Sequence, residues 1–355
     1  MLKEKHVFAG NNTSKGFYSY FDYIINPEDA NRIYILKGGP GVGKSSFMKK
    51  FGSEMLTKGN NVEYIHCSSD ENSLDGLVVP ELKVAFIDGT APHIVDPRLP
   101  GAVDEIVNLG IYLNNKEIEK HKNQIIQVNK IISQLYKSAF RYLKSASQIL
   151  DEINSIYDYF TDSTKFSRIC EEVINKLFVN KKLYNKTGSI RKLFSEAYTA
   201  NGYINYTDLF CADLNVWAVI GENTNYTSKL LDEVVKEAVK RGFDVDCFYR
   251  PLTPEKLQHI IIPDLNIMLK STENHICCNY DEIINLHEIM DLENLKTHIS
   301  EIENNLNLYD MLLKNALDKL TETKKHHDLL EIFYVNSMDF KSVDECFENI
   351  FNQYI

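Results

Sequence analysis

Three things are scarce in this sequence. Basic residues are outnumbered, 39 Lys and Arg against 50 Asp and Glu in 355 residues, for a formal net charge of −11 and a pI near 5.5. A sequence-independent nucleic-acid binder needs a basic face to release counterions, so the charge argues against nucleic acid as a partner. The one basic stretch, Lys181 to Lys186 with Arg191 and Lys192, reads as a solvated linker. No uninterrupted apolar run approaches the roughly 18 residues that span a bilayer, and MLKEKHVFAG has no apolar core of signal-peptide length. The expectation is a cytoplasmic protein with no membrane partner. Cysteines number seven, an odd and scattered set without the C-x-x-C pairs of zinc sites, so reduced thiols are expected, adjacent Cys277 and Cys278 included. What is present, 44% hydrophobic and 25% charged residues, is a globular composition, and the length favours two domains.

The most informative stretch is Ile33 to Met48, IYILKGGPGVGKSSFM. Four apolar residues lead through Lys37 into Gly38, Gly39, Pro40, Gly41, Val42, Gly43, Lys44 and Ser45, which fill every fixed position of G-x-x-x-x-G-K-[ST]. This is a Walker A loop in its expected context. A buried parallel strand delivers it, glycines let successive amides turn toward an anion, and Ser46 opens a helix whose positive end faces phosphates. Lys44 would then reach the β- and γ-phosphates, and Ser45 would bind Mg²⁺. Downstream, LKVAFID ends in Asp88, the Walker B pattern, which predicts a second Mg²⁺ ligand beside Ser45.

Phe8 to Ile25 reads as a polar loop followed by an aromatic-rich helix. From Ile118 a heptad seam runs through Ile125, Ile132, Ala139, Ala146 and Ile153, broken only by His121, and predicts a long helix. Thr161-Asp162-Ser163 is a cap sequence at which the chain should fold back into a shorter helix over Lys165 to Phe178.

The second half repeats the first. A shift of 183 aligns Gly38 with Gly221, Ser45 with Ser228, Leu74 with Leu257 and Pro80 with Pro263 without a gap, and the helical seam recurs from Leu295. The predicted architecture is therefore α/β, two tandem P-loop NTPase-like units with small parallel sheets, each followed by a long helical hairpin. The first unit spans 1–186, its hairpin about 115–180; the second spans 187–355, its hairpin about 290–353. The second unit has lost the phosphate chemistry. Tyr226 replaces a glycine, Thr227 replaces the lysine, Glu222 adds negative charge, and Ser271 stands where Asp88 stood. One nucleotide site is expected, with the second unit kept for packing, recognition or regulation.

FAGNNTSKGFYSYFDYI, ILKGGPGVGKSSFMKK, HCSSDENSLDG and RPLTPEKLQHIIIPDLN resemble recurring blocks of the tandem P-loop ATP-binding, ATPase-like proteins of clostridia and bacilli, over nearly the whole chain. The resemblance implies a P-loop NTPase fold in both halves and ATP in the first, with Mg²⁺ as cofactor. Adenine over guanine follows from it, since no N-K-x-D-like segment appears. The departures at Tyr226 and Thr227 put a second ATP site in doubt. Gly89 rather than a glutamate follows Asp88, so the water-orienting group is open among Asp70, His66, Thr90 and His93, with Lys44, Asp88 and His93 the catalytic set. Arg250 is the candidate transition-state arginine. Three activities fit: a slow ATPase, a small-molecule or nucleotide kinase, or a non-enzymatic ATP-dependent switch. Beyond the nucleotide, the expected partner is an unidentified small-molecule acceptor, or a protein engaged through the hairpins.

Overall fold

In the computed structural model, residues 3–91, 94–181, 183–272 and 280–355 are described. The first half runs β1 (Glu4–Phe8), β2 (Gly10–Thr13), β3 (Gly16–Ser19), β4 (Arg32–Lys37), α1 (Lys44–Thr57), β5 (Val62–His66), β6 (Leu74–Val79), β7 (Val84–Asp88) and β8 (Asp104–Asn108). There follow α2 (Asn115–Lys120), α3 (Lys122–Tyr159) and α4 (Ser163–Phe178). The second half runs β9 (Ile190–Leu193), β10 (Glu196–Thr199), β11 (Gly202–Asn205), α5 (Thr207–Phe210), β12 (Asn215–Ile220), α6 (Thr224–Lys240), β13 (Val245–Tyr249), β14 (Leu257–Ile262), β15 (Ile267–Thr272) and β16 (Glu282–Asn285). It closes with α7 (Leu292–Leu295), α8 (Ile299–Val335) and α9 (Phe340–Phe351).

Two six-stranded sheets result, ordered β1-β5-β6-β7-β4-β8 and β9-β13-β14-β15-β12-β16. Both are mixed, not parallel as the repeat suggested: β6 is antiparallel to β5 and β7, and β14 to β13 and β15. The reason is local. A tight 3-10 turn at Pro80–Leu82, ending on Lys83 at φ 55°, returns β6 directly into β7, and Pro263–Leu265 with Asn266 at φ 53° does the same in the second half. A second correction concerns Phe8 to Ile25. Its Gly10–Ser19 segment forms the antiparallel ribbon β2–β3, turning on Gly16 at φ 92°, and only Phe21–Tyr23 coils into a 3-10 turn. Alternating aromatics here follow a period of two, which places Phe17 and Tyr18 on opposite faces of a ribbon.

The helices follow the seam more closely. His121 separates α2 from α3, and Asp162 caps α4 by accepting from the amides of Thr164 and Lys165. α3 and α8 run antiparallel along one another, since the His121 ring meets Phe333 at one end and Phe160 meets His298 at the other. Ala139, Ala146 and Ala316 are fully buried at the centre, where small side chains allow close approach.

The hairpins do not cover the sheets that precede them. One face of the first sheet packs on α1 and on the C-terminal helix α9, with Phe47 against Phe347 at 5.0 Å and Phe51 against Phe351 at 5.9 Å between ring centres. The second sheet packs on α6 and on α4, with Leu230, Leu231 and Val234 against Val173 and Leu177. Each hairpin therefore crosses to the other half, so residues 1–186 do not enclose their own core. Ile350→Ala, a change in the last turns of the chain, is expected to cost about 2–3 kcal/mol. Hydrogen exchange should register the loss in β4 to β7 of the first sheet, whereas loss confined to the second sheet would contradict the exchange.

The remaining sheet faces meet each other in a shared core that includes Val7, Ile35, Ile65, Leu193, Phe248 and Met268. Phe8 and Phe194 exchange backbone bonds of 2.8 Å in both directions, which marks the local twofold relation of the halves. Two ion pairs cross the same junction: Lys5 to Asp246 at 2.6 Å, and the two Arg191 Nη atoms to Glu63 at 3.0 and 2.5 Å. Cys67, Cys170, Cys211, Cys247 and Cys346 are free thiols; Cys277 and Cys278 lie outside the described residues. Among the described residues no helix is long and apolar enough to cross a membrane.

Candidate functional site

The carboxyl ends of β4 and β7, adjacent and parallel, bring the Gly38–Ser45 loop beside Asp88. Alternation along β7 puts Phe86 and Asp88 on the α1 side of the sheet. Gly41 and Gly43 hold φ of 73° and 97°, so the chain curls back before α1 begins at Lys44. Side chains with a Cβ strain at such angles, which accounts for glycine there. Val42 is fully buried and anchors the loop in the α1 core. Gly43 brings no side chain to cap α1, so the helix start is left to any acceptor from outside.

Lys44 is 8% exposed and folds back into the loop, donating to the carbonyls of Gly38 at 2.8 Å and Gly39 at 2.9 Å, with Asp88 3.6 Å away. Ser45 Oγ accepts from the amide of Leu74 at 3.0 Å, fixing α1 against β6. Thr90 ties the two parts together: its amide donates to Asp88 at 2.8 Å and its hydroxyl to the Gly38 carbonyl at 2.9 Å. Ser46 is exposed on the first turn, and Pro40 sits half-buried at the loop's bend. Chemically, this is a buried ammonium, a carboxylate, a hydroxyl and an uncapped helix start converging on one glycine turn. The set suits an anionic ligand, and Ser45 and Asp88 offer oxygen atoms that could hold a cation.

Other anticipated residues have other roles. His66 lies in a cluster of tilted rings with His6 and Tyr206, its Nδ1 2.6 Å from the Glu71 carbonyl, and burial pulls its pKa down to about 4. Asp70 organises its own turn through Asn72 and Ser73 and pairs with Lys324 of α8 at 3.3 Å. Arg250 belongs to its own half, where one Nη atom donates to Thr227 and Ser271 at 3.0 Å each; it is not an arginine supplied to the first loop. His93 lies outside the described residues.

Two features carry no sequence signal of their own. Tyr334 and Val335 at the end of α8 roof the loop, so closely that a Cβ on Gly39 would meet the Tyr334 ring at 2.5 Å and one on Gly41 would meet Val335 at 2.9 Å. Asp75 stands 3% exposed beside Asp88, and burial together with the Asp88 charge pushes its carboxyl up to about 8. It lies within the CSSDENSLDG segment, yet an aspartate there is indistinguishable by sequence from its solvated neighbour Asp70.

The second loop is closed by its own protein. Asn223 caps α6 by accepting from the amides of Asn225 and Tyr226, and Asn154 of α3 accepts from the Thr224 amide at 2.9 Å. The Asp158 carboxylate accepts from the side chains of Asn223 at 2.8 Å and Asn225 at 3.0 Å. Glu222 pairs with His287 at 2.6 Å, and Lys229 lies over the Tyr226 ring at 4.4 Å. No family model, curated protein or solved structure matches the chain, so the functional reading rests on this geometry.

Proposed function

We propose that the protein binds Mg-ATP at the Gly38–Ser45 loop and hydrolyses it slowly, with the second half as a non-binding partner. The observation that carries the reading is Lys44, a buried ammonium held by two loop carbonyls with a carboxylate 3.6 Å away, at the uncapped start of α1. A buried cation is costly unless paired, and triphosphate oxygens would take the place of the two carbonyls. Magnesium, when bound, would neutralise charge on the phosphates, with Ser45 and Asp88 as its protein ligands. Thr90 keeps Asp88 oriented toward the loop. The exchanged hairpins support coupling: Tyr334 and Val335, which roof the loop, belong to the helix that runs along α3, and Asp158 at the far end of α3 holds the second loop. A ligand that lifts the roof at one end therefore pulls on a helix pair whose other end is latched.

The test is phosphate release by purified full-length protein with Mg-ATP and no added acceptor. A slow, protein-dependent release is expected. Release only after a metabolite is supplied would replace hydrolysis by phosphoryl transfer to that metabolite. Binding without release under either condition would leave a nucleotide-controlled switch.

A further inference from the structure

Asp75 belongs to neither the predicted motif nor the packing requirements of β6. In the β5–β6 ladder Ile65 pairs with Gly76 and His66 with Leu74, so Asp75 is the extra residue of a bulge. Bulges of this kind re-aim one side chain at the cost of a ladder position. On its other side β6 pairs with β7 as Val79 with Val84 through Gly76 with Ile87, and one further step of that register sets Asp75 opposite Asp88. Two carboxyl groups directly opposed across a ladder repel each other, more so when buried. Lys44, 3.6 Å from Asp88, offsets part of that repulsion, and a divalent cation beside the two carboxyls would offset more.

The second half supplies an internal comparison. Its bulge is in the same place: Phe248 pairs with His259 and Tyr249 with Leu257, leaving Gln258 as the extra residue opposite Ser271. Its scaffold bond is also the same, the Leu257 amide donating to Ser228 Oγ at 2.9 Å as Leu74 donates to Ser45 at 3.0 Å. What differs is charge. Lys44, Asp88 and Asp75 are matched by Thr227, Ser271 and Gln258, so all three charges are absent together while the backbone device is kept. Gln258 shows that an uncharged side chain fits this bulge, and a carboxyl at Asp75 therefore answers to something other than shape.

We propose that Asp75 is a positioning residue of the magnesium–nucleotide site, acting on the coordinated water of the divalent cation from its place opposite Asp88. The inference rests on the Mg-ATP reading of the glycine loop. Ser45 and Asp88 would be the direct ligands, and Asp75 would help to hold the cation's water shell from the neighbouring strand. Because the two carboxyls arise from neighbouring antiparallel strands, their separation is set by the ladder and not by flexible loops. The site is thereby preorganised for a small hydrated cation, which demands near-fixed ligand geometry and retains several waters.

The experiment is equilibrium binding of a fluorescent, non-hydrolysable ATP analogue to the full-length protein over a range of Mg²⁺ concentrations, with thermal unfolding recorded on the same samples. For Asp75→Asn the Mg²⁺ concentration giving half-maximal binding is expected to rise about tenfold, while the unfolding temperature holds because Asn keeps the size of the buried carboxyl. Asp75→Gln, which copies the second half, should give the same shift and guards against misfolding of the first variant. A midpoint within twofold of the wild type in both folded variants would overturn the role of Asp75 and leave the nucleotide reading standing. Failure of the wild-type protein to bind the analogue at any Mg²⁺ concentration would overturn both.

Discussion

Replacing Lys44 with alanine should reduce ATP affinity by a factor on the order of one hundred. The ammonium makes two short bonds to loop carbonyls and lies 3.6 Å from Asp88, so the wild-type side chain is already desolvated and aimed before a ligand arrives. Its charge-assisted bonds to phosphate oxygens are worth about 1.5–3 kcal/mol each, and a methyl group replaces none of them. Titration with a non-hydrolysable ATP analogue should give one site per wild-type chain and none measurable at micromolar ligand for Lys44→Ala. Two equal sites would refute the closed second loop, in which Asp158, Asn154 and Asn223 occupy the bonds an anion would need. Affinity unchanged in Lys44→Ala would place the nucleotide elsewhere.

Removing the Arg191 guanidinium should cost about 4 kcal/mol and loosen the junction between the halves. Arg191 binds Glu63 through two nitrogens and also donates to the carbonyls of Tyr23 and Ile24, while Lys5 holds Asp246 across the same junction. Truncating one partner of a largely desolvated pair usually costs about 3–5 kcal/mol, and Lys5, 3.5 Å from Glu63, leaves the remaining carboxylate only partly compensated. Burial alone would raise the Glu63 pKa; Arg191 and Lys5 outweigh it and hold it at about 2. A carboxylate depressed on folding stabilises above its unfolded pKa and loses that contribution as pH falls. Wild-type stability should therefore decline between about pH 4.5 and pH 2, by on the order of 3 kcal/mol from this group. Chemical denaturation across that range should show a smaller decline for Arg191→Ala, whose Glu63 titrates nearer its ordinary value. A variant within 1 kcal/mol of the wild type at pH 7 would show the network to be dispensable.

Much of the fold was legible because the signals are local. The glycine turn between an apolar strand and a helix, the break at His121 and the cap at Asp162 each depend on neighbours a few positions apart, and the repeat at 183 residues shows by aligning such local patterns. The ribbon at Gly10–Ser19 was misread because aromatic density resembles a buried helix, and only its pairing distinguishes period two from period 3.6. The antiparallel β6 and β14 were missed for a different reason. A three-residue turn after Val79 or Ile262 is too short for the crossover a parallel neighbour needs, a constraint visible only once both strands are delimited.

The sequence by itself determined where the first loop, the strands β4, β5 and β7 and the long helices lie, and that the second loop carries Tyr226 and Thr227 in place of a glycine and the lysine. Its periodicity specified that each hairpin has an apolar face, but an apolar face is indifferent to which sheet it covers. The tertiary structure decided that α9 covers the first sheet and α4 the second, and so put Tyr334 over Gly39. It also decided that Asp75 faces Asp88, because a bulge and an antiparallel register, neither written in any short motif, bring together two carboxyls 13 residues apart. Short-range periodicity encodes elements, whereas the meeting of charges across strands depends on register, which is settled only when the whole core packs.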